Sequence, residues 1–423
     1  MRRPVILCSV LFCVVAMGAT TLEECQRAAM ANYPAIAQQD LISRTTELTV
    51  SNINKRWLPQ VSVNAQATLQ SDVTSWPSEL QTTFQSMGVD IEGLKNDQYR
   101  VGVDVSQTLY DGGAIGSERE VARAQGRVDA ASLDVRMHAV KSRVNEMYFA
   151  ILLLDDRIRL GNDHTTVLKS NEQKLLSMYN RGTAAQSDYL SVKAERLRSE
   201  QQVAQMTSQR LTLLRSLSTF CSLAIDTLIM PDASMPSSVV NRHPELDYYD
   251  ATIQLADARE KELASRVLPR INLFAQGYYG YPGYNMFEDM MRHRFTLNGM
   301  VGVKVTWNIG AFYTRGNDKA RLQIMRSTAE SNRAAFLLNN DLEQIRHDDE
   351  YELYSRLLSS DREIVDLRTS VRKSAESRLD HGIIDVHDLI KETAAEHEAL
   401  VQMSLHNIEM VKRIYDIKLT TNN

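Results

Sequence analysis

From Val61 the chain alternates in register: apolar Val61, Val63, Ala65, Ala67 and Leu69 are separated by polar Ser62, Asn64, Gln66 and Thr68. Period-two alternation is the pattern of a strand whose two faces meet different surroundings, and it predicts a strand over about 61–71. The rhythm returns three times. Val101, Val103, Val105 and Leu109 alternate with Arg100, Asp104, Ser106 and Thr108 over about 99–110. Ile271, Leu273 and Ala275 alternate with Asn272 and Gln276 over about 271–281. Over about 295–309, Phe295, Leu297, Val301, Val303, Val305, Trp307 and Ile309 alternate with Thr296, Asn298, Lys304, Thr306 and Asn308. Phe274 and Met300 fall on the polar side, where a lumen or a subunit contact tolerates them.

The pattern between the strands is helical. Residues 35–56 read as a helix bounded by Pro34 and Pro59. Residues 114–180 contain no proline and would extend about 100 Å as one helix. Asn180-Arg181-Gly182 reads as a C-cap turn, with glycine supplying the left-handed conformation, and a returning helix follows. Asp380-His381-Gly382 repeats that turn. These signals predict two helical hairpins, over about 114–220 and 313–418, stable only if their apolar stripes find neighbours.

The two sets of elements are copies. Tyr33-Pro34 recurs as His243-Pro244 and Trp57-Leu58-Pro59 as Val267-Leu268-Pro269, both 210 residues on. Val101-Gly102-Val103 recurs as Val301-Gly302-Val303, and Gly182 with Asp188 as Gly382 with Asp388, both 200 residues on. Ordered matches at kept spacing indicate a tandem duplication. The first repeat spans 20–221 and the second 244–423. Residues 222–243, with Pro231 and Pro236, form the linker.

Composition removes several classes. The 423 residues carry 48 Lys and Arg against 53 Asp and Glu, a net charge of −5, which leaves no basic excess for nucleic acid. No GxxxxGK[ST], GxSxG, HExxH or CxxC motif occurs, so an enzyme, a cofactor and a metal site are not expected. Arg2 and Arg3 precede an apolar run from Val5 to Met17 that closes on small residues, the layout of a secretory signal peptide over 1–19. No acylation site is expected. Of the four cysteines, Cys25 and Cys221 remain beyond that segment, and two free thiols are favoured over a bridge. His347-Asp348-Asp349-Glu350 reads as a solvated helix face, and metal binding by His381 and His387 is disfavoured.

Beyond the signal segment no apolar stretch reaches the roughly 20 residues of a membrane helix, so strands must carry any membrane part. Amphipathic strands with aromatic residues near their ends (Tyr99, Tyr110, Tyr278, Tyr279, Phe295, Trp307) match a membrane-barrel signature. Four strands leave open edges whose backbone groups go unpaired in lipid, so several protomers must contribute to one barrel. The lipid-facing set is then Val61, Val63, Val101, Val103, Val105, Leu273, Val301, Val303, Val305 and Trp307.

Specific segments resemble the outer membrane efflux protein (TolC) family. Thr21-Leu22-Glu23-Glu24-Cys25-Gln26-Arg27-Ala28 with Asn32-Tyr33-Pro34 is similar to the family's opening helix. Trp57-Leu58-Pro59-Gln60 resembles its helix-to-strand junction, and Ser106-Gln107-Thr108-Leu109-Tyr110-Asp111-Gly112-Gly113 its strand-to-helix exit. Val267-Leu268-Pro269 and Trp307-Asn308-Ile309-Gly310 resemble the second copies. The resemblance implies a homotrimer with one twelve-stranded β-barrel in the outer membrane, continued by an α-helical tunnel in the periplasm. It implies the exit duct of a tripartite efflux pump or type I secretion system, working with a periplasmic adaptor protein and an inner-membrane transporter and doing no chemistry itself. By the same resemblance the hairpin tips meet the adaptor and narrow the entrance. In this chain they are Arg181, Gly182, Thr183 and Asp188, and His381, Gly382, Ile383, Asp385 and Asp388. Three copies of Asp388 would form an acidic ring. Where some members carry a second acid three residues later this chain has Lys391, and Asp385 could stand in for it. The alternative from another class is a periplasmic coiled-coil adaptor or scaffold without a pore.

Overall fold

The structure, a computed structural model, describes residues 19–89, 91–235 and 240–422. The signal segment expected at 1–19 lies outside the described residues except for its last position, and so does Pro236 of the linker. In chain order the elements are α1 (Leu22–Asn32), α2 (Ala37–Asn54), β1 (Gln60–Leu69), α3 (Ser78–Ser86), β2 (Asp97–Tyr110), α4 (Ala114–Asn180) and α5 (Gln186–Cys221). The second series is α6 (Pro244–Ser265), β3 (Arg270–Tyr281), α7 (Met286–Arg292), β4 (Thr296–Thr306), α8 (Ala311–Asp380) and α9 (Val386–Thr421).

Two compact units result, and neither coincides with a sequence repeat. One gathers residues up to 39, 131–248 and 333–423; the other gathers 40–130 and 249–332. Each therefore draws on both repeats, because a lone helical hairpin or a lone pair of strands buries too little of its apolar surface.

In the first unit, α1 begins with a reciprocal cap. Thr21 Oγ1 accepts from the Glu24 N–H (3.3 Å) while the Glu24 carboxylate accepts from the Thr21 N–H (2.9 Å). Leu22, Cys25 and Ala29, at helical spacing, then turn inward to a core of Val144, Tyr148, Phe149, Ile151, Leu217 and Ile408. The Tyr148 hydroxyl lies 2.9 Å from Thr20 O and 2.6 Å from Ile229 O, and accepts from the Ile229 N–H (3.2 Å). One buried side chain thus ties down the start of the chain and the linker.

Buried histidines give this unit a pH-sensitive stability. The His138 ring packs on His243 (centroids 4.3 Å apart) and its Nε2 lies 3.0 Å from Leu419 O; the His164 ring stacks on His397 (4.4 Å). Burial first, then the neighbouring imidazole, pushes both His138 and His164 down from 6.5 to about 4. Both stay neutral in the folded chain at pH values where the unfolded chain would protonate them. Stability is therefore full above about pH 6.5, falls as the pH drops from there to about 4, and levels off below. Thermal melts of the detergent-solubilised protein across pH 7.5 to 4 are expected to fall accordingly, and His164→Phe is expected to flatten the slope.

The expectation of a solvated face at His347-Asp348-Asp349-Glu350 needs correction. His347 is buried, and Glu350 pairs with Arg413 at 2.7 Å. Arg413 also binds Glu409 (3.0 Å) and Asp416 (2.9 Å), so the segment turns half of its polar groups into an internal charge network. Among the described residues no group of three or more His, Cys, Asp or Glu is arranged to hold a metal ion.

In the second unit the four strands form one antiparallel sheet in the order β1-β2-β3-β4. At its exit, Asp111 turns the chain from β2 into α4: its carboxylate accepts from the Gly113 N–H (2.8 Å) and the Ile115 N–H (2.5 Å), a helix N-cap buried at the junction. The loops leaving the other ends of the strands contain α3 and α7, which periodicity did not reveal. Leu94, Tyr281 and Met290, with Val73 and Trp76, pack the two loops together.

Candidate functional site

Two surfaces concentrate the features singled out in the sequence, one in each unit. The first is the sheet. Its register aligns the alternating residues in rows, Val61–Val105–Ala275–Val301, Val63–Val103–Gly277–Gly299 and Ala65–Val101–Tyr279–Leu297. Every strand therefore contributes its apolar set to the same face. Ser62, Asp104, Gln276 and Met300 form a row of the opposite face.

Among the described residues nothing covers the apolar face. Val63 is 74% exposed, Val103 43%, Val301 72% and Val303 60%. Exposing a side chain of this size to water forgoes about 1.5–3 kcal/mol that burial would return, and a contiguous patch of them marks a surface that meets lipid or protein. β1 and β4 are the open edges, each with one row of ladder groups unpaired. No described helix is long and apolar enough to cross a membrane.

One residue departs from the expected placement, and another is found where it was expected. Trp307 lies beyond β4, which ends at Thr306, and its indole N–H donates to Val267 O (2.9 Å). That bond holds Trp307 at the strand-to-helix junction and not within the strand's apolar row. Phe274 does sit on the polar face, where its ring lies over Gly302; a Cβ there would stand 2.8 Å from the ring. The absent glycine side chain makes room for the misplaced aromatic.

The second surface is the pair of hairpin tips. Gly182 and Gly382 have φ of +76° and +67°. At each tip the glycine N–H and the next N–H reach back into the helix: Gly182 to Tyr179 O and Thr183 to Met178 O, Gly382 to Leu379 O and Ile383 to Arg378 O, all at 2.9 Å. This left-handed close needs glycine, since a Cβ would strain it. The structure brings the tips together. Leu168, Leu175 and Val192 of the first hairpin form one core with Ala375, Leu379, Val386 and Leu389 of the second, and Lys174 pairs with Asp380 between them.

The acids at the tips divide one task differently. At the start of α5, Ala185 has no capping side chain, and the Asp188 carboxylate instead accepts from the Ala185 N–H (3.1 Å). At the start of α9, Asp385 is the cap, accepting from the Asp388 N–H (2.9 Å). Asp388 is exposed and, among the described residues, its carboxylate makes no hydrogen bond or ion pair, while Asp385 is engaged with backbone. His381 Nδ1 lies 2.7 Å from Ser377 O within its own helix. Ile383 is exposed and Arg181 and Thr183 fill out the first tip's polar rim.

Sequence comparison identifies one family. The family model of outer membrane efflux proteins matches residues 27–221, which fall within the first repeat. No curated protein matches the chain. Solved structures share the fold across nearly its whole length. The outer membrane protein VceC of Vibrio cholerae is 12% identical with a TM-score of 0.70, covering 95% of this chain and 94% of its own. The Campylobacter jejuni CmeC outer membrane channel is 11% identical with a TM-score of 0.68, over 95% and 85%. The open state of the Neisseria gonorrhoeae MtrE outer membrane channel is 12% identical with a TM-score of 0.69, over 95% and 89%.

Proposed function

We propose that this chain, a member of the outer membrane efflux protein family, is one of three identical protomers of a passive exit duct in the cell outer membrane. The family consists of outer membrane channels and not of enzymes, and an efflux channel is the activity that membership carries. The observation supporting the finer reading is the sheet: one predominantly apolar face, one polar face, and two open edges. Three such sheets joined edge to edge, β4 of one protomer against β1 of the next, make a closed twelve-stranded barrel. Closure pairs every edge backbone group, the condition for crossing lipid, and turns the valine rows outward and the Ser62–Asp104–Gln276 row toward a water-filled lumen.

The hairpins would then form a tunnel in the periplasm, with the tips at its entrance. An inner-membrane transporter supplies energy and a periplasmic adaptor meets the tips. Arg181, Gly182 and Thr183 with Asp188, and His381, Gly382 and Ile383 with Asp385, are the contact residues of this reading; the unpaired Asp388 supplies the acidic ring. Tripartite efflux is favoured by the family's description, and a type I secretion system is the second assembly the same duct would serve.

The test is the particle itself. Detergent-extracted protein is expected to have three times the protomer mass by light scattering, with threefold symmetry in negative-stain projections. A stable monomer or dimer that needs no detergent would overturn the channel and leave the adaptor reading.

A further inference from the structure

Cys25 and Cys221 are the two cysteines among the described residues, and both are completely buried in the same core. They lie 196 positions apart in sequence, one on α1 and the other at the last position of α5, and both side chains pack into that one core beside Ala29, Tyr148 and Leu217. The elements around them hold this placement from both sides. The Asn32 side chain donates to Cys221 O (3.1 Å), and the Tyr33 and Phe220 rings pack 5.8 Å apart. Before α1, the Thr20 N–H donates to Thr227 O (2.9 Å) and Thr20 O accepts from the Ile229 N–H (3.3 Å). Two thiols enclosed in one apolar core gain little from remaining thiols, since each is a weak donor and a weak acceptor.

We propose that Cys25 and Cys221 form a disulfide that staples the N-terminal helix to the end of the first hairpin. The inference rests on the outer membrane reading, because that route takes the chain through a compartment where disulfides form and persist. The chemistry is thiol–disulfide exchange with a disulfide-bearing periplasmic oxidant protein. The first thiolate attacks the oxidant's disulfide and expels one of its sulfurs as a thiolate. The second thiolate then attacks the mixed disulfide, forming the Cys25–Cys221 bond and releasing the oxidant as a dithiol. Two electrons and two protons pass to the oxidant overall. Exchange must precede the final closure of the core, since neither sulfur is reachable afterwards.

The staple is tested on full-length protein taken from the outer membrane fraction, denatured in N-ethylmaleimide and digested with trypsin. Without reductant, the peptide ending at Arg27 is expected to be joined to the peptide spanning residues 216–242, with no maleimide on either cysteine; after reduction, each carries one. Maleimide on both cysteines of unreduced outer membrane protein would overturn the staple and leave the channel reading intact. Recovery of the chain outside the cell envelope would overturn the channel reading and the staple with it. As a second readout, Cys25→Ser, Cys221→Ser and the double variant are expected to lower the temperature at which the trimer dissociates by the same several degrees. Reductant should do likewise to the wild type and nothing further to the variants. Single variants with unequal losses, or a wild type indifferent to reductant, would overturn it.

Discussion

Replacing Val103 with arginine is expected to remove the protein from the outer membrane altogether. Val103 is flanked by Val63 on β1 and Gly277 on β3, in the middle of the apolar face and without cover from its own chain. A guanidinium at the centre of a barrel's lipid face costs about 2–4 kcal/mol, and the proposed trimer would repeat that cost in every protomer. Val303→Arg, opposite Leu273, is expected to do the same. The control lies on the opposite face of the neighbouring strands β1 and β3, because successive side chains point to opposite faces. Ser62→Arg and Gln276→Arg place the same charge on the polar face and are expected to leave assembly intact. Membrane flotation with immunoblotting separates the cases. A Val303→Arg protein that is soluble and normally folded would refute the barrel and favour the adaptor.

Asp388→Asn is expected to abolish the cation preference of the reconstituted channel. Three carboxylates brought near an axis attract cations and resist closure, and among the described residues Asp388 has no partner to neutralise it. Lys391 stands one turn further on, also exposed, so the neutralised ring leaves three ammonium groups facing the entrance. The zero-current potential across a salt gradient in planar bilayers should move toward anion selectivity, and Lys391→Glu should move it the other way. Asp385→Asn is the informative contrast. Asparagine caps a helix about as well as aspartate, so α9 keeps its start and the selectivity is expected to stay. A larger shift from Asp385→Asn than from Asp388→Asn would reassign the ring.

The tips were visible as glycine punctuation followed by an acid, because a left-handed helix close and an N-terminal cap are local demands of the backbone. The same logic could not say which acid caps and which stays free. Asp188 and Asp388 occupy equivalent positions, yet Asp188 bonds the backbone because Ala185 cannot, whereas Asp385 relieves Asp388 of that duty. Strand ends were less legible. Period two runs on through Trp307 and Ile309, but the ladder stops at Thr306, where the indole turns to Val267 O. Helices α3 and α7 escaped notice because nine and seven residues offer too few turns for a 3.6-residue rhythm to emerge.

Sequence by itself determined the four strands, the long helices and the two unlike faces of the strands. Each of these is written in short-range periodicity or in a repeated spacing. Only the tertiary structure decided which copies meet. It paired β2 of one repeat with β3 of the other, and built each compact unit from both halves. It also turned His347 inward and enclosed Cys25 and Cys221 in one core. Those choices depend on burying apolar stripes that no repeat can cover alone, and contacts across some 200 residues leave no trace in local pattern.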